Sequence, residues 1–221
     1  MKSLYFIVAL ILSIIFALIV KKLALKLGVV DKPDGERKLH SKPIPLLGGV
    51  AIFLSFWLVV FYLVYRPVLG TEILTAKMWG AFFGSVILIA AGYFDDKKGI
   101  SVKIRFLLAA TATLLAIWGG VEISKMTNPF GGIWEFGLTL GNVIVFFWLM
   151  GMMFTTKILD GLDGLATGIV AIGAMMIYFL TETARFYQPN VGLLALIFAG
   201  ACLGLLIFNF YPAKIFLGEV G

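Results

Sequence analysis

Seven long runs without charged side chains constrain the fold of this chain more than any other feature of its sequence. A helix needs about 20 residues to cross a hydrocarbon core of about 30 Å, and each run is close to that length. The sequence therefore predicts an all-α integral membrane protein, a polytopic helical bundle of about seven transmembrane helices. The runs are Ser3–Val20, Pro43–Tyr65, Met78–Phe94, Phe106–Val121, Phe136–Thr156, Gly164–Thr181 and Phe186–Ala213.

The composition of the runs excludes a membrane β-barrel. A barrel strand alternates polar and apolar residues over about 10 positions, whereas these runs are apolar throughout. Lys21 and Lys22 follow the first run directly and no small-residue cleavage site is present, so we interpret that run as a retained span. No linker or repeat divides the chain, which predicts one transmembrane domain over residues 1–221.

Basic residues lie mainly in the segments that follow runs one, three, five and seven. These segments hold 13 of the 18 Lys and Arg residues, so the positive-inside rule places them in the cytoplasm and the N-terminus outside. The net charge of +6 therefore marks orientation in a lipid bilayer and does not indicate a nucleic-acid partner. The 13 residues are Lys21, Lys22, Lys26, Lys32, Arg37, Lys38, Lys42, Lys97, Lys98, Lys103, Arg105, Lys157 and Lys214.

Two of the connecting segments contain residues that indicate their conformation or what they bind. The outer loop over residues 119–135 has turn signals at Asn128-Pro129 and Gly131-Gly132, which favour a small hairpin, with an irregular loop as the open alternative. The first cytoplasmic segment, "DKPDGERKLHSKPIPLLGG", is broken by prolines and is basic. Its residues Arg37, Lys38 and His40 are candidates for binding phosphate or lipid headgroups.

Carboxylates occur at three places that the predicted topology gathers on the cytoplasmic side. They lie in "YFDDKKG" after run three, in "KILDGLDGLATG" after run five and in "FNFYPAKIFLGEVG" after run seven. A carboxylate at the centre of a membrane costs about 2.5–3.5 kcal/mol on insertion scales, so such residues are either interfacial or functional. The carboxylates are Asp95, Asp96, Asp160, Asp163 and Glu219.

The spacing of Asp160 and Asp163 raises the question of what offsets their charge. If the two aspartates begin a helix, they lie on the same side of it because they are three residues apart. A cation is then needed between them, and Mg²⁺ is a candidate because it is a hard cation that takes carboxylate and phosphate oxygens. Capping of the sixth helix is the open alternative for these two residues, and an interfacial cluster is the alternative for Asp95 and Asp96. Together with the basic loop, the three sites have the composition of a site for a divalent cation and a polyphosphate.

The ordered set of these motifs resembles the polyprenyl-phosphate N-acetylhexosamine-1-phosphate transferases (glycosyltransferase family 4). The resemblance runs from about Asp31 to Gly221, and the "R-K-x-H" form of the first loop is similar to the branch that acts on undecaprenyl phosphate. It implies transfer of N-acetylglucosamine 1-phosphate from UDP-GlcNAc to undecaprenyl phosphate, with UMP released. It also implies a bacterial cytoplasmic membrane, an active face in the cytoplasm, and Mg²⁺ or Mn²⁺ as cofactor.

The resemblance also implies a role for each matching residue. Asp95 and Asp96 would bind metal or orient the acceptor, and Asp160 and Asp163 would position nucleotide and metal. The residues implied in substrate binding are Arg37, Lys38, His40, Lys157 and Asn209, and those implied in metal binding are Asp95, Asp160 and Glu219. The expected partners are a polyprenyl phosphate, a UDP-sugar and the bilayer, and a homodimer stays open.

Two departures from the family pattern leave alternatives open. The motif "FxGDxG" reads "FLGEVG" here, with Glu219 in place of an aspartate. Members of the family continue beyond the position of Gly221 with further spans and a cytoplasmic loop, which predicts that the chain is incomplete at its C-terminal side. A non-catalytic relative that binds lipid or partners is therefore one alternative, and a transporter or flippase is another.

Overall fold

A computed structural model describes residues 2–33, 43–66 and 76–221 of the chain. Seven α-helices hold most of these residues, and each of them coincides with one of the predicted apolar runs. A short 3₁₀ turn, Ala184–Phe186, precedes the last helix. The helices are α1 (Lys2–Leu27), α2 (Gly48–Tyr65), α3 (Ala76–Lys98), α4 (Val102–Trp118), α5 (Leu138–Leu159), α6 (Leu165–Thr181) and α7 (Pro189–Asn209).

Five helices of the described part are long and apolar enough to cross a membrane, namely α1, α2, α3, α5 and α7. Helix α6 is apolar and has 17 residues, and α4 also has 17. Large apolar side chains such as Leu4, Ile7 and Ile11 on α1 point outward, as expected for a surface that faces lipid. The prediction of an all-α polytopic membrane protein is thereby confirmed, and its orientation stays a prediction.

Helix α7 forms the centre of the core because it packs against α1, α2 and α6. Small residues allow the close approach to α1, since a Cβ at Gly200 or Gly204 would collide with the backbone oxygen of Phe6 or Leu10. The hydroxyl of Ser13 donates to the backbone oxygen of Ala201 at 2.6 Å across the same contact. Packing and a buried hydrogen bond therefore hold the two apolar helices together.

Two short antiparallel ribbons connect the helices. β1 (Val30–Asp31) pairs with β2 (Ile44–Pro45) between α1 and α2. β3 (Lys125–Thr127) pairs with β4 (Ile133–Glu135) between α4 and α5, which confirms the hairpin predicted within residues 119–135. The second ribbon is exposed along its whole length, and its turn contains two glycines with positive φ.

The segment that follows α7, residues 210–221, folds back against the start of α2. The backbone N–H groups of Gly48 and Gly49 donate to the carbonyl oxygens of Phe216 and Leu217, at 2.9 and 3.1 Å. These bonds satisfy two of the N–H groups that the first turn of a helix leaves without partners. A Cβ at Gly48, at Gly49 or at Gly92 of α3 would collide with the backbone of this segment. Glycines on two helices thus make the channel in which the segment lies.

Candidate functional site

Three hydrogen-bonded contacts bring the predicted acidic motifs together at one end of the bundle. The backbone N–H of Glu219 donates to the two carboxylate oxygens of Asp96, at 3.0 and 3.1 Å. The ammonium of Lys157 contacts a carboxylate oxygen of Glu219 at 2.5 Å, and the backbone N–H of Ala213 donates to Asp163 at 2.9 Å. The C-terminal segment therefore links the ends of α3 and α5. We call this region the acidic end, and it comprises Asp95, Asp96, Lys157, Asp160, Asp163 and Glu219.

The turn between α5 and α6 carries the motif "DGLDG". Asp160 is the C-cap of α5, its N–H donating to the carbonyl oxygen of Thr156 at 3.1 Å, and α6 begins only at Leu165. The N-cap of α6 is Gly164 in the left-handed region, with no side-chain capping bond. Both the expectation that the two aspartates begin a helix and the alternative that they cap it are wrong. The chain reverses through Gly164 because glycine adopts a positive φ without steric cost.

Asp95 is a buried carboxylate that joins the ends of α3 and α4. Its two oxygens lie 2.8 and 2.5 Å from two nitrogens of the Arg105 guanidinium. One of them also accepts from the backbone N–H of Ile100 at 2.9 Å. A two-point contact of this kind fixes geometry as well as charge, so Asp95 holds the turn that presents Asp96. In the sequence Arg105 indicates only orientation, because its ten-residue separation from Asp95 matches no local pairing rule.

Asp96 is half-buried and faces the C-terminal segment instead of α4. Gly218 lies beside it with φ +74°, and a Cβ there would come within 2.6 Å of a carboxylate oxygen of Asp96. The positive φ turns the following N–H, that of Glu219, onto this carboxylate. Neighbouring aspartates therefore have different surroundings, since one is paired with a guanidinium and the other with a backbone amide.

Asp160 is half-buried, and no donor among the described residues reaches its carboxylate. Burial raises its pKa to about 6, with a further contribution from the negative charge of Glu219. A carboxylate in this state keeps its oxygens available for an incoming cation or donor. Among the predicted carboxylates in the described ranges, Asp160 is thus the one whose oxygens no protein donor occupies.

Lys157 and Glu219 form an ion pair that connects α5 to the C-terminal segment. The side chains are 40% and 34% exposed, so this pair is open to water and to solutes. Lys157 lies in the last turn of α5, where a cation is also favoured by the helix dipole. An ion pair of this exposure exchanges partners readily because its net free energy is small.

Asn209 lies below this surface with 1% of its area exposed. Its side-chain oxygen accepts from the hydroxyl of Thr167 at 2.7 Å, and its side-chain nitrogen donates to the carbonyl oxygen of Ile215 at 3.0 Å. The amide thereby ties α6 and α7 to the C-terminal segment. Its implied contact with a nucleotide stays a prediction. Residues Arg37, Lys38 and His40 of the basic loop lie outside the described ranges.

The carboxylates of the acidic end differ in how well they could bind a divalent cation. In the described ranges, no group of three His, Cys, Asp or Glu residues is arranged to hold a metal ion by itself. Arg105 occupies Asp95, while Asp160 is accessible and Glu219 has only an exposed partner. Mg²⁺ is commonly held by one or two carboxylates together with substrate phosphates. The carboxylate oxygens of Asp160 and Glu219 have the chemistry that such an arrangement requires.

Comparisons with known proteins give a family for this chain. Residues 78–221 match the sequence model of Glycosyl transferase family 4. The chain is 34% identical over 218 residues to a Bacillus subtilis protein described as a probable undecaprenyl-phosphate N-acetylglucosaminyl 1-phosphate transferase, a match that covers 98% of the chain and 58% of the relative.

Two further relatives differ in the substrate that their names give. The decaprenyl-phosphate N-acetylglucosaminephosphotransferase of Mycobacterium tuberculosis is 32% identical in an alignment of length 217 that covers 91% of the chain and 52% of the relative. The phospho-N-acetylmuramoyl-pentapeptide-transferase of Thermosynechococcus vestitus is 29% identical in an alignment of length 216 that covers 89% of the chain and 53% of the relative. The chain spans about half the length of the curated relatives it matches.

Proposed function

We propose that this chain, which belongs to glycosyl transferase family 4, takes part in the transfer of N-acetylglucosamine 1-phosphate from UDP-GlcNAc to undecaprenyl phosphate. The names of two of the relatives support an N-acetylglucosamine phosphate and a polyprenyl phosphate as the substrate classes. The products would be undecaprenyl-pyrophosphoryl-GlcNAc and UMP, and the reaction would begin the assembly of a cell-envelope glycan.

One structural observation carries this proposal, namely the junction of the three acidic motifs through the C-terminal segment. Contacts from Asp96 and Lys157 to Glu219 place the ends of two membrane helices, a lysine and several carboxylates around one surface. A lipid phosphate lies at the level where membrane helices end, and a nucleotide sugar arrives from water. A site that joins the two substrates therefore belongs at such a helix end, and we place it on the cytoplasmic face of a bacterial cytoplasmic membrane.

The proposed reaction is a displacement at phosphorus. An oxygen of the lipid phosphate attacks the β-phosphorus of UDP-GlcNAc, the bond from this phosphorus to the oxygen that bridges to the α-phosphorus breaks, and UMP leaves with that oxygen. The second pKa of a phosphate monoester is about 6, so the acceptor is largely a dianion near pH 7 and a strong base is unnecessary. The protein's task is then to hold two polyanions together and to balance their charge.

We assign the residues of the acidic end to parts of this task. Asp160 and Glu219 would hold Mg²⁺, or Mn²⁺ in its place, which supplies positive charge against the pyrophosphate. Asp96 orients the C-terminal segment, and Asp95 with Arg105 positions Asp96. We assign Lys157 and Asp163 to the nucleotide, with Asn209 fixing the C-terminal segment beneath them, and the basic loop would contribute Arg37, Lys38 and His40 to phosphate binding.

Release of radiolabelled UMP from UDP-GlcNAc tests the proposal. Membranes that carry the full-length protein and undecaprenyl phosphate should release UMP when Mg²⁺ is present and stop on addition of EDTA. Asp160→Asn should abolish release because it removes an accessible ligand, and Asp95→Asn should also abolish it by releasing the turn that positions Asp96. Lys125→Met, in the exposed ribbon β3–β4, is the matched control and should keep full activity.

The outcomes separate the proposal from its alternatives. Full activity of Asp160→Asn would overturn the assignment of the site. Binding of UDP-GlcNAc without release of UMP would favour a non-catalytic protein that binds lipid or nucleotide. Release of a different nucleotide, or release that depends on a different lipid phosphate, would keep the reaction class and change the substrates.

A further inference from the structure

The ion pair between Lys157 and Glu219 joins two groups for which the proposed function has separate uses. Glu219 is assigned to a cation, and Lys157 is assigned to the nucleotide. In the structure they neutralise each other, with 2.5 Å between the ammonium and a carboxylate oxygen. A metal ion and this ammonium repel each other when both lie at the same carboxylate, so each lowers the affinity of the carboxylate for the other.

The surroundings of the pair increase this competition. Asp160 and Asp96 both lie within electrostatic range of Glu219. Arg105, another cation of this region, is about one-third exposed and is committed to Asp95. Within the described ranges, Lys157 is thus the cation that contacts Glu219, the exposed carboxylate of the acidic end. The position of the Lys157 ammonium therefore affects the electrostatic potential at the acidic end.

We propose that Lys157 is shared between Glu219 and a substrate phosphate, so that the divalent cation and the nucleotide diphosphate bind cooperatively through it. This inference rests on the proposed function. Without nucleotide, Lys157 stays on Glu219 and weakens cation binding. When a diphosphate binds, the ammonium moves to a phosphate oxygen, and the released Glu219 takes up the cation. Coupling of this kind is reciprocal, so a change that frees Lys157 must also strengthen diphosphate binding.

Binding of Mn²⁺ alone tests the first half of this inference without any reaction. The protein in lipid nanodiscs is titrated with Mn²⁺ in the absence of nucleotide, and free Mn²⁺ is measured by electron paramagnetic resonance. Lys157→Met should tighten binding about three- to fivefold, the upper part of the range expected for removal of an exposed competing ion pair. The same substitution made in the Glu219→Gln background should give no such gain.

A matched variant separates the pair from a general change of charge. Lys98→Met removes one ammonium near the end of α3, where the described ranges offer it no ion-pair partner. It should tighten Mn²⁺ binding by less than about twofold, because a solvated charge is screened. An equal gain from Lys98→Met and Lys157→Met would overturn the inference, since the effect would then come from net charge alone.

Equilibrium dialysis with radiolabelled UDP in EDTA tests the second half. Glu219→Gln should tighten UDP binding about fivefold, because Lys157 then has no competing carboxylate, and Lys157→Met should weaken it by at least that factor. Lys157→Arg should retain most of the affinity. Unchanged UDP binding in Lys157→Met would overturn the inference.

The two measurements also distinguish this inference from the proposed function. If the protein binds UDP and releases UMP but Lys157→Met leaves Mn²⁺ binding unchanged, the coupling is wrong and the function stands. If the Mn²⁺ results are as expected but the wild-type protein binds no UDP, the shared phosphate and the proposed function both fail.

Discussion

The two ends of the helical bundle both carry charged residues but differ in how these are paired. At the end opposite the acidic end, which we call the hairpin end and which comprises Lys2, Lys125, Glu135 and Glu182, each lysine has one carboxylate. Lys2 contacts Glu182 at 2.5 Å, and Lys125 contacts Glu135 at 2.8 Å. At the acidic end Lys157 has two carboxylates in range, Glu219 and Asp96, and Asp160 has no donor among the described residues.

This difference indicates at which end of the bundle the arrangement of charges lowers the stability of the fold. An exposed, evenly matched ion pair contributes little in either direction. A half-buried carboxylate without a donor is unfavourable, and such groups are concentrated at sites that bind ligands. The hairpin end therefore has the charge arrangement of a membrane surface, whereas the acidic end has that of a binding site.

The largest expected effect comes from breaking the ion pair between the buried Asp95 and Arg105. Arg105→Met should lower the free energy of unfolding by about 3 kcal/mol, because it leaves a buried carboxylate without its partner. Thermal unfolding in detergent measures the change. Lys125→Met breaks an ion pair at the hairpin end and serves as the matched control, for which we expect no measurable shift. Equal losses in both variants would contradict the contrast between the two ends.

The next effect tests the channel that holds the C-terminal segment. Gly92→Ala places a Cβ against the backbone of Glu219 and should lower the free energy of unfolding by about 1–3 kcal/mol, as overpacking does. Gly173→Ala is the matched control, because no atom lies within 4 Å of a Cβ at that position of α6. This control should be neutral or slightly stabilising, since alanine favours a helix over glycine. A neutral Gly92→Ala would show that the segment is not held as described.

A smaller effect depends on pH and involves Asp160. Its folded-state pKa of about 6 exceeds the ordinary value near 4, so folding favours the protonated form and the charged form costs stability above pH 6. In EDTA, Asp160→Asn should therefore raise the unfolding temperature by about 1–3 °C at pH 7.5 and have no effect below about pH 4.

Asp163→Asn is the comparison for that variant, because the Asp163 carboxylate accepts a backbone N–H from Ala213. It should lower the unfolding temperature at pH 7.5 instead of raising it. A gain for Asp160→Asn that does not depend on pH would show that burial of the charge is not its cause.

The smallest effect is expected for the ion pair at the start of α1. Lys2→Met should change the free energy of unfolding by at most about 0.5 kcal/mol, because both side chains of the pair are about one-third exposed. UMP release should be unchanged, since this pair lies at the far end of the bundle. A loss above about 1 kcal/mol would show that the hairpin end is held by its charges more strongly than we describe.

The sequence predicted the helices well because transmembrane segments are defined by local composition. A run of about 20 apolar residues has few structural alternatives in a bilayer, so Ser3–Val20 and Phe136–Thr156 could be placed from the sequence alone. The turn at Asp160 was predicted less well. A helix starting there and a turn ending at Gly164 both satisfy the pattern "DGLDG", and the choice depends on how α5 and α6 pack.

The alternating direction of the predicted spans was enough to predict that the acidic motifs share one side of the membrane. It could not predict which side chains and backbone groups contact each other there. Lys157 and Glu219 are 62 positions apart, and Asp95 and Asp96 are neighbours with different partners. Nothing in their local sequence distinguishes these two aspartates.

The sequence by itself determined the class of protein, the apolar helices and the side of the bundle on which the carboxylates collect. These properties follow from the transfer of side chains between water and hydrocarbon, which depends on each residue and its near neighbours. The tertiary structure alone decided that Asp95 is neutralised by Arg105, that no described residue donates to Asp160 and that Lys157 contacts Glu219. These pairings depend on the path of the C-terminal segment between α2 and α3, and hydrogen bonds and close packing between distant parts of the chain set that path.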